Sequence, residues 1–380
     1  MKFAHMLKTM VDKGGSDLFI TTGMPPSMKL NGQLVSLMEQ ALTPKMAHDV
    51  VLGVMTQEQR EEFRKTKECN FAISAPGIGR FRVSAFYQRN NVGMVLRKIE
   101  FNIPRLETLN LPPIINELAM TKRGLIMFVG ATGTGKSTSL AAMIQYRNEN
   151  ARGHIICIED PIEFIHQHKK SIVTQREVGI DTDSFEVALK NTLRQAPNVI
   201  MIGEVRTRET MEYALAFAET GHLCLATLHA NNANQALERI IHFFPPERHN
   251  QVWMDLSLNL KSVVAQQLIP TKDGQGRRAA IEVMLNTPLV ADLIRKGEVH
   301  EIKTLMKKSR ELGMQTFDQA LFDLFKGGEI SERDALAHAD SPNDLRLMIK
   351  LGDNQNGQTA SPYAAEAMQK AASQFTLKED

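Results

Sequence analysis

The sequence is poor in cysteine. Its 380 residues include only three, Cys69, Cys157 and Cys224. Because that number is odd and no two of them have the CxxC spacing, neither a disulfide framework nor a cysteine-tetrad zinc site is supported. The pattern favours a reducing cytoplasm.

An excess of charge of one sign is also absent. The chain has 45 Lys and Arg residues against 43 Asp and Glu, which gives a formal net charge of +2. This balance argues against a protein that wraps nucleic acid chiefly through bulk positive charge, although a local basic patch is compatible with it.

Long apolar runs are missing as well. No segment approaches the roughly 20 apolar residues that a membrane-spanning helix needs, so any membrane association is expected to be peripheral or through a partner. The apolar residues at the start are interrupted by His5, Lys8 and Asp12. They therefore predict a short amphipathic helix and not the apolar centre of a signal peptide.

The first hundred residues predict a small α+β domain. Apolar residues alternate between positions 17 and 37, and Asn31-Gly32 supplies the left-handed residues of a two-residue hairpin turn. Helical spacing follows from Pro44 to about residue 65, and strands are predicted at 70–74, 81–87 and 92–99.

The next segment predicts an interdomain linker, because Pro104, Pro112 and Pro113 cannot donate backbone hydrogen bonds and restrict the residues before them. We therefore assign residues 1–101 to the N-terminal domain, 102–113 to the linker and 114–285 to a second domain. Four apolar runs in the second domain, GLIMFV, HIICI, NVIMI and HLCLATL, are typical of an α/β fold with a buried, largely parallel sheet.

The remainder of the chain is predicted to be helical. Candidate helices at 289–296, 316–325, 331–339 and 342–351 make residues 286–351 a helical C-terminal extension. Residues 352–380 are rich in Asn, Gln, Ala and Ser and are expected to form a flexible tail.

A phosphate-binding motif lies between a predicted strand and a predicted helix. The segment GATGTGKST, which begins at Gly130, matches G-x-x-x-x-G-K-[ST] in the context that the motif requires. Lys136 is expected to reach the β- and γ-phosphate oxygens, and Ser137 to ligate Mg²⁺. The predicted cofactor-binding residues follow Gly130: Ala131, Thr132, Gly133, Thr134, Gly135, Lys136, Ser137 and Thr138.

The structural alternative for this segment is a glycine-rich turn with a chance lysine. No N-K-x-D sequence occurs anywhere in the chain, so guanine selectivity of the GTPase kind is unsupported. ATP is the predicted nucleotide.

Two acidic groups follow predicted strands. The run NVIMIG ends at Glu204, as expected of a strand that delivers a carboxylate beside magnesium, where it orients or deprotonates the attacking water. Glu159, Asp160 and Glu163 follow the run HIICI. Crowding three carboxylates is costly unless a cation or a water lies among them, and an exposed acidic turn is the alternative.

Histidines and arginines supply further candidates. His222 and His229 flank the run LCLATL, and His229 falls at the strand end where α/β sheets present ligand-binding groups, although a structural role remains the alternative for each. Arg80 and Arg82 share a strand face in the N-terminal domain. They form either a solvated face or an arginine site directed at the γ-phosphate. The alternative candidates for that role in the second domain are Arg194, Arg206, Arg208 and Arg239.

The order of these motifs resembles that of the secretion ATPases, in which GATGTGKST, IEDPIEF, NVIMIGEVR and TGHLCLATLH correspond to the Walker A motif, Asp box, Walker B motif and His box. Residues 124–246 look closest to the type IV pilus retraction motors of the PilT/PilU family. The likeness extends through the N-terminal segments SDLFITTGMPPSMKLNG and GRFRVSAFYQRN.

The resemblance implies a RecA-like P-loop ATPase domain preceded by a small PAS-like domain, and a homo-hexameric ring with nucleotide between the domains. It implies that Glu163 and Glu204 organise catalysis, that His229 senses the γ-phosphate, and that Arg82 and Arg97 are phosphate-side arginines. The implied metal ligands are Ser137 directly, with Glu159 and Glu204 through water. A PilT-type retraction ATPase and an inner-membrane platform protein are the implied partners, at the cytoplasmic face of the inner membrane.

Departures from the family pattern indicate its accessory branch. The segment LVADLIRK at 289–296 stands where the principal retraction motors have an AIRNLIRE-like helix, and the sequence TLMKKSRELGMQTFDQAL and the extended tail point the same way. In addition, LRQAPN places Ala196 and Asn198 where acidic residues are usual.

Three functions are therefore open. The leading one is a motor ring in which ATP hydrolysis changes the angle between the two domains and drives pilin disassembly. The second is a poorly catalytic coupling subunit that assists the principal retraction ATPase. The third is a RecA-like nucleic-acid translocase, against which the balanced charge and the lack of interleaved aromatic and basic residues count.

Overall fold

The computed structural model describes residues 2–355. Its N-terminal part contains a six-stranded antiparallel sheet in the order β3-β2-β1-β6-β5-β4. The strands are β1 (Asp17–Thr21), β2 (Ser27–Leu30), β3 (Gln33–Ser36), β4 (Glu68–Ala75), β5 (Gly79–Gln88) and β6 (Asn91–Ile99). Three helices contribute side chains to the same core: α1 (Phe3–Asp12), α2 (Pro44–Gly53) and α3 (Gln57–Thr66).

The predicted hairpin turn is confirmed. Asn31 and Gly32 both have positive φ, 49° and 83°, and the flanking residues Leu30 and Gln33 pair across it. The helical stretch after Pro44 is divided into two helices, because Thr56 starts a new one. Its side chain accepts from the Gln59 N–H while the Gln59 side chain accepts from the Thr56 N–H, a reciprocal cap.

The second sheet has seven strands in the order β13-β12-β7-β11-β10-β8-β9. All neighbours are parallel except β12 and β13. The strands are β7 (Gly124–Val129), β8 (Gly153–Glu159), β9 (Ser171–Glu177), β10 (Val199–Ile202), β11 (Leu223–Leu228), β12 (Leu260–Pro270) and β13 (Arg277–Leu285). The helices that accompany them are α4 (Ile114–Ala119), α5 (Lys136–Asn150), α6 (Phe185–Thr192), α7 (Arg208–Glu219), α8 (Ala233–His242) and α9 (His249–Asn259).

Burial of both faces explains why the strands of this sheet read as continuous apolar runs. On β7, Leu125 and Met127 enter one core while Ile126 and Phe128 enter the other. The C-terminal helices share the first of these cores, to which Phe317 contributes. They are α10 (Pro288–Lys296), α11 (Ile302–Lys308), α12 (Phe317–Lys326), α13 (Glu332–His338) and α14 (Pro342–Gln355).

Backbone hydrogen bonds join the N-terminal sheet to the second one. The Glu100 N–H donates to the Glu163 carbonyl over 3.2 Å, and the Ile165 N–H donates to the Glu100 carbonyl over 3.0 Å. The end of β6 is thereby fixed against the acidic segment that follows β8.

None of the helices in residues 2–355 combines the length and apolar character that crossing a bilayer requires. The predicted tail begins at residue 352, but α14 continues to Gln355. Residues 356–380 lie outside the described part of the chain.

Candidate nucleotide site

The glycine-rich loop connects β7 to α5 and packs closely against β12. A Cβ atom at Gly130, where φ is 153°, would lie 2.6 Å from the Gln266 carbonyl oxygen. A Cβ atom at Gly135, where φ is 87°, would lie 2.7 Å from the Gln266 side-chain nitrogen. Both positions therefore require glycine, and the loop is held in one conformation by the neighbouring strand.

Gln266 also holds the helix that follows the loop. Its side-chain oxygen accepts a hydrogen bond from the Ser139 hydroxyl over 2.8 Å, and both residues are buried. Gln266 belongs to no recognisable motif. Its role cannot be predicted from the sequence, because its partners lie more than a hundred positions away along the chain.

Lys136 is the first residue of α5 and is 8% exposed. Its ammonium group donates to the carbonyl oxygens of Gly130 and Ala131 over 2.7 and 2.8 Å. Burial lowers the pKa of this amine, while the carboxylates of Glu204 and Glu163 oppose that shift. A cation is thus placed at the loop, with two carboxylates close enough to influence its charge.

A cavity of about 250 Å³ brings most of the predicted residues together. Its lining combines loop residues with the acidic and histidine candidates: Thr132, Gly133, Lys136, Ser137, Glu159, Glu163, Glu204 and His229. Ala131 lines an adjoining cleft with His229, and the hydroxyl of Thr134 donates to the Ala131 carbonyl within the loop.

A second cavity, of about 180 Å³, lies beside the first turn of α5. It is lined by Gly135 and Thr138 together with residues from the segment before α4 and from β12 and β13, among them Leu109, Leu268 and Arg278. Gly135 and Thr138 are predicted from the loop motif, whereas Leu109, Leu268 and Arg278 are not, since they come from segments without a recognisable motif.

Glu204 occupies a charged network at the ends of two adjacent parallel strands, β10 and β11. Its carboxylate lies 3.0 Å from His229 Nε2 and 2.7 Å from Arg206. Because the carboxyl ends of neighbouring parallel strands lie together, residues that follow each strand are brought into contact. Arg206 also lies 3.7 Å from Asp160, so this rival arginine belongs to the cavity.

Glu159 is the most perturbed carboxyl group in the cavity. Burial, with the nearby carboxylates of Glu163 and Glu177, raises its pKa to about 8, although the Gln175 amide donates to it over 2.9 Å. Among residues 2–355, no group of three or more His, Cys, Asp or Glu side chains is arranged to hold a metal ion.

The two predicted phosphate-side arginines lie outside this cavity. Arg97 pairs with Asp17 over 2.8 Å, and Arg82 lies 3.6 Å from the buried carboxylate of Glu177. Both line a neighbouring cleft that includes Glu163, and this cleft shares Pro161, Glu163 and Phe164 with the nucleotide cavity. The arginines are thus next to the site but are engaged by carboxylates of their own chain.

Comparison with known proteins gives consistent matches. Residues 2–322 match the family model described as "Type II/IV secretion system protein". The "Type IV pilus ATPase PilU" of Pseudomonas aeruginosa is 74% identical over 94% of this chain and 93% of its own length. The "Type IV pilus retractation ATPase PilT" of the same organism is 39% identical over 91% of this chain and 100% of its own.

A solved structure agrees with these relatives. The structure described as "Crystal Structure of the Pilus Retraction Motor PilT and Bound ADP" superposes with a TM-score of 0.85. Its identity is 39%, over 91% of this chain and 99% of the other.

Proposed function

Because the chain belongs to the type II/IV secretion system protein family, we propose that it is an ATP-hydrolysing motor that drives or assists type IV pilus retraction as a hexameric ring. The observation that carries the proposal is the convergence of Lys136, Glu204 and His229 on one cavity at the carboxyl ends of the parallel strands. That is where α/β folds bind their ligands.

The loop and the first turn of α5 bind the phosphates. Backbone N–H groups and the positive end of α5 attract negative charge, and Lys136 exchanges its two loop carbonyl partners for phosphate oxygens. The cavity at Gly135 and Leu268 lies beside the same turn and accepts the rest of the nucleotide.

The residues present fit a magnesium ion. Ser137 offers a hydroxyl, and burial disfavours the ionised form of Glu159, a cost that a nearby cation offsets. Ser137 directly, with Glu159 and Glu204 through water, would hold Mg²⁺, which when bound neutralises charge on the phosphate oxygens.

Glu204 orients the attacking water and takes its proton, while Glu163 supports the same water from the acidic segment. The contact between Glu204 and His229 Nε2 lets the histidine respond to events at that carboxylate. Arg82 and Arg97 approach the γ-phosphate only after leaving Glu177 and Asp17. Hydrolysis is thereby coupled to a movement of the N-terminal sheet, which is the mechanical step.

The ring works with a PilT-type retraction ATPase and an inner-membrane platform protein, at the cytoplasmic face of that membrane. A second candidate is a coupling subunit that depends on this partner ATPase. It is favoured by α10, whose Asp292 pairs with Arg295 and with Lys296 in place of the charge pattern of the principal retraction motors.

The test is the ATPase rate of the purified wild type and of Lys136→Ala and Glu204→Gln, each alone and with an ATPase-inactive PilT-type partner. We expect turnover by the wild type alone, abolished by Lys136→Ala and reduced about 10²- to 10⁴-fold by Glu204→Gln. Turnover only in the presence of the inactive partner favours the coupling subunit. Full turnover by Lys136→Ala contradicts the site assignment.

A further inference from the structure

A buried carboxylate outside the cavity joins two helices. Glu282 lies in β13 and is 2% exposed. One of its oxygens accepts from the Ala233 N–H over 2.8 Å, and the other accepts from the Phe317 N–H over 3.4 Å. Ala233 and Phe317 are the first residues of α8 and α12, so one carboxylate serves the N-termini of both helices.

A carboxylate in this position meets the hydrogen-bonding needs of two helix N-termini, but its own charge is buried. The first N–H groups of a helix lack partners within the helix, and the positive end of its dipole favours a negative group. Glu282 satisfies one such donor on each helix, and these bonds offset part of the cost of burying its charge. The charged groups that act on Glu282 are the acidic residue Asp340 and the basic residue Lys303.

Helix α8 begins four positions after His229. The intervening loop is bonded to the helix itself, since Asn232 accepts from the Gln235 N–H over 3.0 Å and the Gln235 side chain accepts from the Asn231 N–H over 3.3 Å. Because the loop is short and anchored, a shift at the start of α8 reaches His229, which lies between this loop and the end of β11.

Helix α12 is attached to the sheet independently of Glu282. Gln315, just before the helix, exchanges two backbone hydrogen bonds with Val283 over 2.8 and 3.0 Å. At the other side, Asp318 accepts from the N–H groups of Asp340 and Ser341 over 2.9 and 3.3 Å, which ties α12 to the start of α14. Loss of Glu282 therefore leaves α12 attached to β13 and removes from α8 the hydrogen bond at its first residue.

We propose that Glu282 is a positioning residue that couples the loop carrying His229 to the C-terminal helices. The inference rests on the proposed function, in which His229 acts at the reacting phosphate. A change in how α12 packs around Glu282 shifts the carboxylate, and with it the start of α8 and His229. Catalysis in the cavity thereby depends on how the C-terminal helices are packed.

The test compares Glu282→Gln with Asp318→Asn in the full-length protein. The glutamine has the same shape but only one acceptor oxygen, so it cannot serve both helices. The control also neutralises a buried carboxylate in the same region, but its hydrogen bonds go to the N–H groups of Asp340 and Ser341, just before α14. Steady-state ATPase rates, melting temperatures and hydrogen exchange across residues 229–237 are measured for both.

We expect Glu282→Gln to lower kcat by about tenfold or more, tenfold being near the lower end for a charge-assisted hydrogen bond, with KM for ATP changed by less than about twofold. Exchange across 229–237 should increase. The control should lower the melting temperature while kcat and that exchange stay near wild type.

The inference would be overturned if both variants showed the same loss in melting temperature while kcat and hydrogen exchange stayed at wild-type values. Glu282 would then only stabilise the fold. Increased exchange with wild-type kcat would also overturn the inference, because the loop would have been released without effect on catalysis. If the wild type itself does not hydrolyse ATP, the proposed function fails, and the exchange measurement still reports whether Glu282 holds α8.

Discussion

At the scale of single residues, Glu282 should also make stability depend on pH. Burial and the carboxylate of Asp340 raise its pKa to about 7, against the opposing effects of the Ala233 and Phe317 N–H groups and of Lys303. A glutamate in an unfolded chain titrates near about 4.3. The folded protein therefore holds this proton more tightly, and the associated stability is present at low pH and lost as pH rises through about 7.

We expect the midpoint of urea unfolding to fall more between about pH 5 and pH 8 in the wild type than in Glu282→Gln, which cannot titrate at this position. The variant serves as the control for all other titrating groups, including Asp318 and Asp340. Parallel pH profiles of the two proteins would contradict the assignment of this titration to Glu282.

Some residues of the site can be predicted from the sequence and others cannot. The loop residues, Glu204 and His229 could be selected because each sits in a motif with a fixed place relative to a strand. Gln266, Glu282 and Glu177 could not, because their importance comes from partners distant in the chain. A buried carboxylate in an edge strand has no local pattern that distinguishes it from an exposed one.

At the scale of elements, the phosphate-binding loop depends on its contact with β12. A methyl group at Gly130 would meet the Gln266 carbonyl and the Thr134 hydroxyl, both at 2.6 Å, whereas one at Gly133 would meet nothing within 4 Å. Both positions have positive φ, so both substitutions carry backbone strain of roughly 1–3 kcal/mol, and only the first adds a collision.

We therefore expect Gly130→Ala to weaken binding of a fluorescent ADP analogue by at least about tenfold and to lower the melting temperature, with a smaller loss for Gly133→Ala. Fluorescence titration and thermal unfolding of the two variants provide the comparison. Equal losses would mean that strain alone, and not the packing against β12, governs the loop.

The elements themselves were predicted unevenly. Strands with continuous apolar runs, such as β7 and β11, can be predicted because burial on both faces favours apolar residues at nearly every position. Strands β9, β12 and β13 were missed, because polar residues such as Gln175, Gln266 and Glu282 interrupt them. Each of these polar side chains makes hydrogen bonds that position residues around the cavity. The same polar residues break the apolar runs by which strands are recognised in a sequence.

At the scale of the whole molecule, the two predicted phosphate-side arginines, Arg82 and Arg97, raise the question of which subunit they serve. Arg97 suits a subunit-mixing test because its side chain is 72% exposed and its buried partner Asp17 also accepts a hydrogen bond from the Ser16 hydroxyl, which remains when Arg97 is removed. Arg82 suits it less, because its removal would leave the buried Glu177 without its cation.

We expect Lys136→Ala and Arg97→Ala to be inactive separately and to recover activity when their subunits are mixed. If Arg97 acts across an interface, about a quarter of the interfaces in a random equal mixture hold both intact residues. Mixing Lys136→Ala with the double variant is the control, because no interface is then complete. If neither mixture regains activity, Arg97 acts in the site of its own chain.

The family, the α/β fold class and the ATPase activity predicted from the motifs are confirmed by the family model, by the close relatives and by the superposed structure. The domain boundaries, the individual residue roles and the pilus partners stay predictions. Motif order reflects a shared chemistry and so identifies the family. The placement of Arg82 and Arg97 beside, and not inside, the cavity depends on contacts between the two sheets, which no local pattern encodes.

The backbone bridge between Glu100 and the segment from Glu163 to Ile165 bears on which sequence changes the molecule tolerates. Its donors and acceptors belong to the main chain, so the bridge survives replacement of the side chains at 100 and 165 by most other residues. Proline is the exception at both positions, because each supplies an N–H. Related proteins can therefore differ in sequence at these positions and still keep the same backbone hydrogen bonds between the two sheets. A comparison of side chains alone would not detect this shared connection.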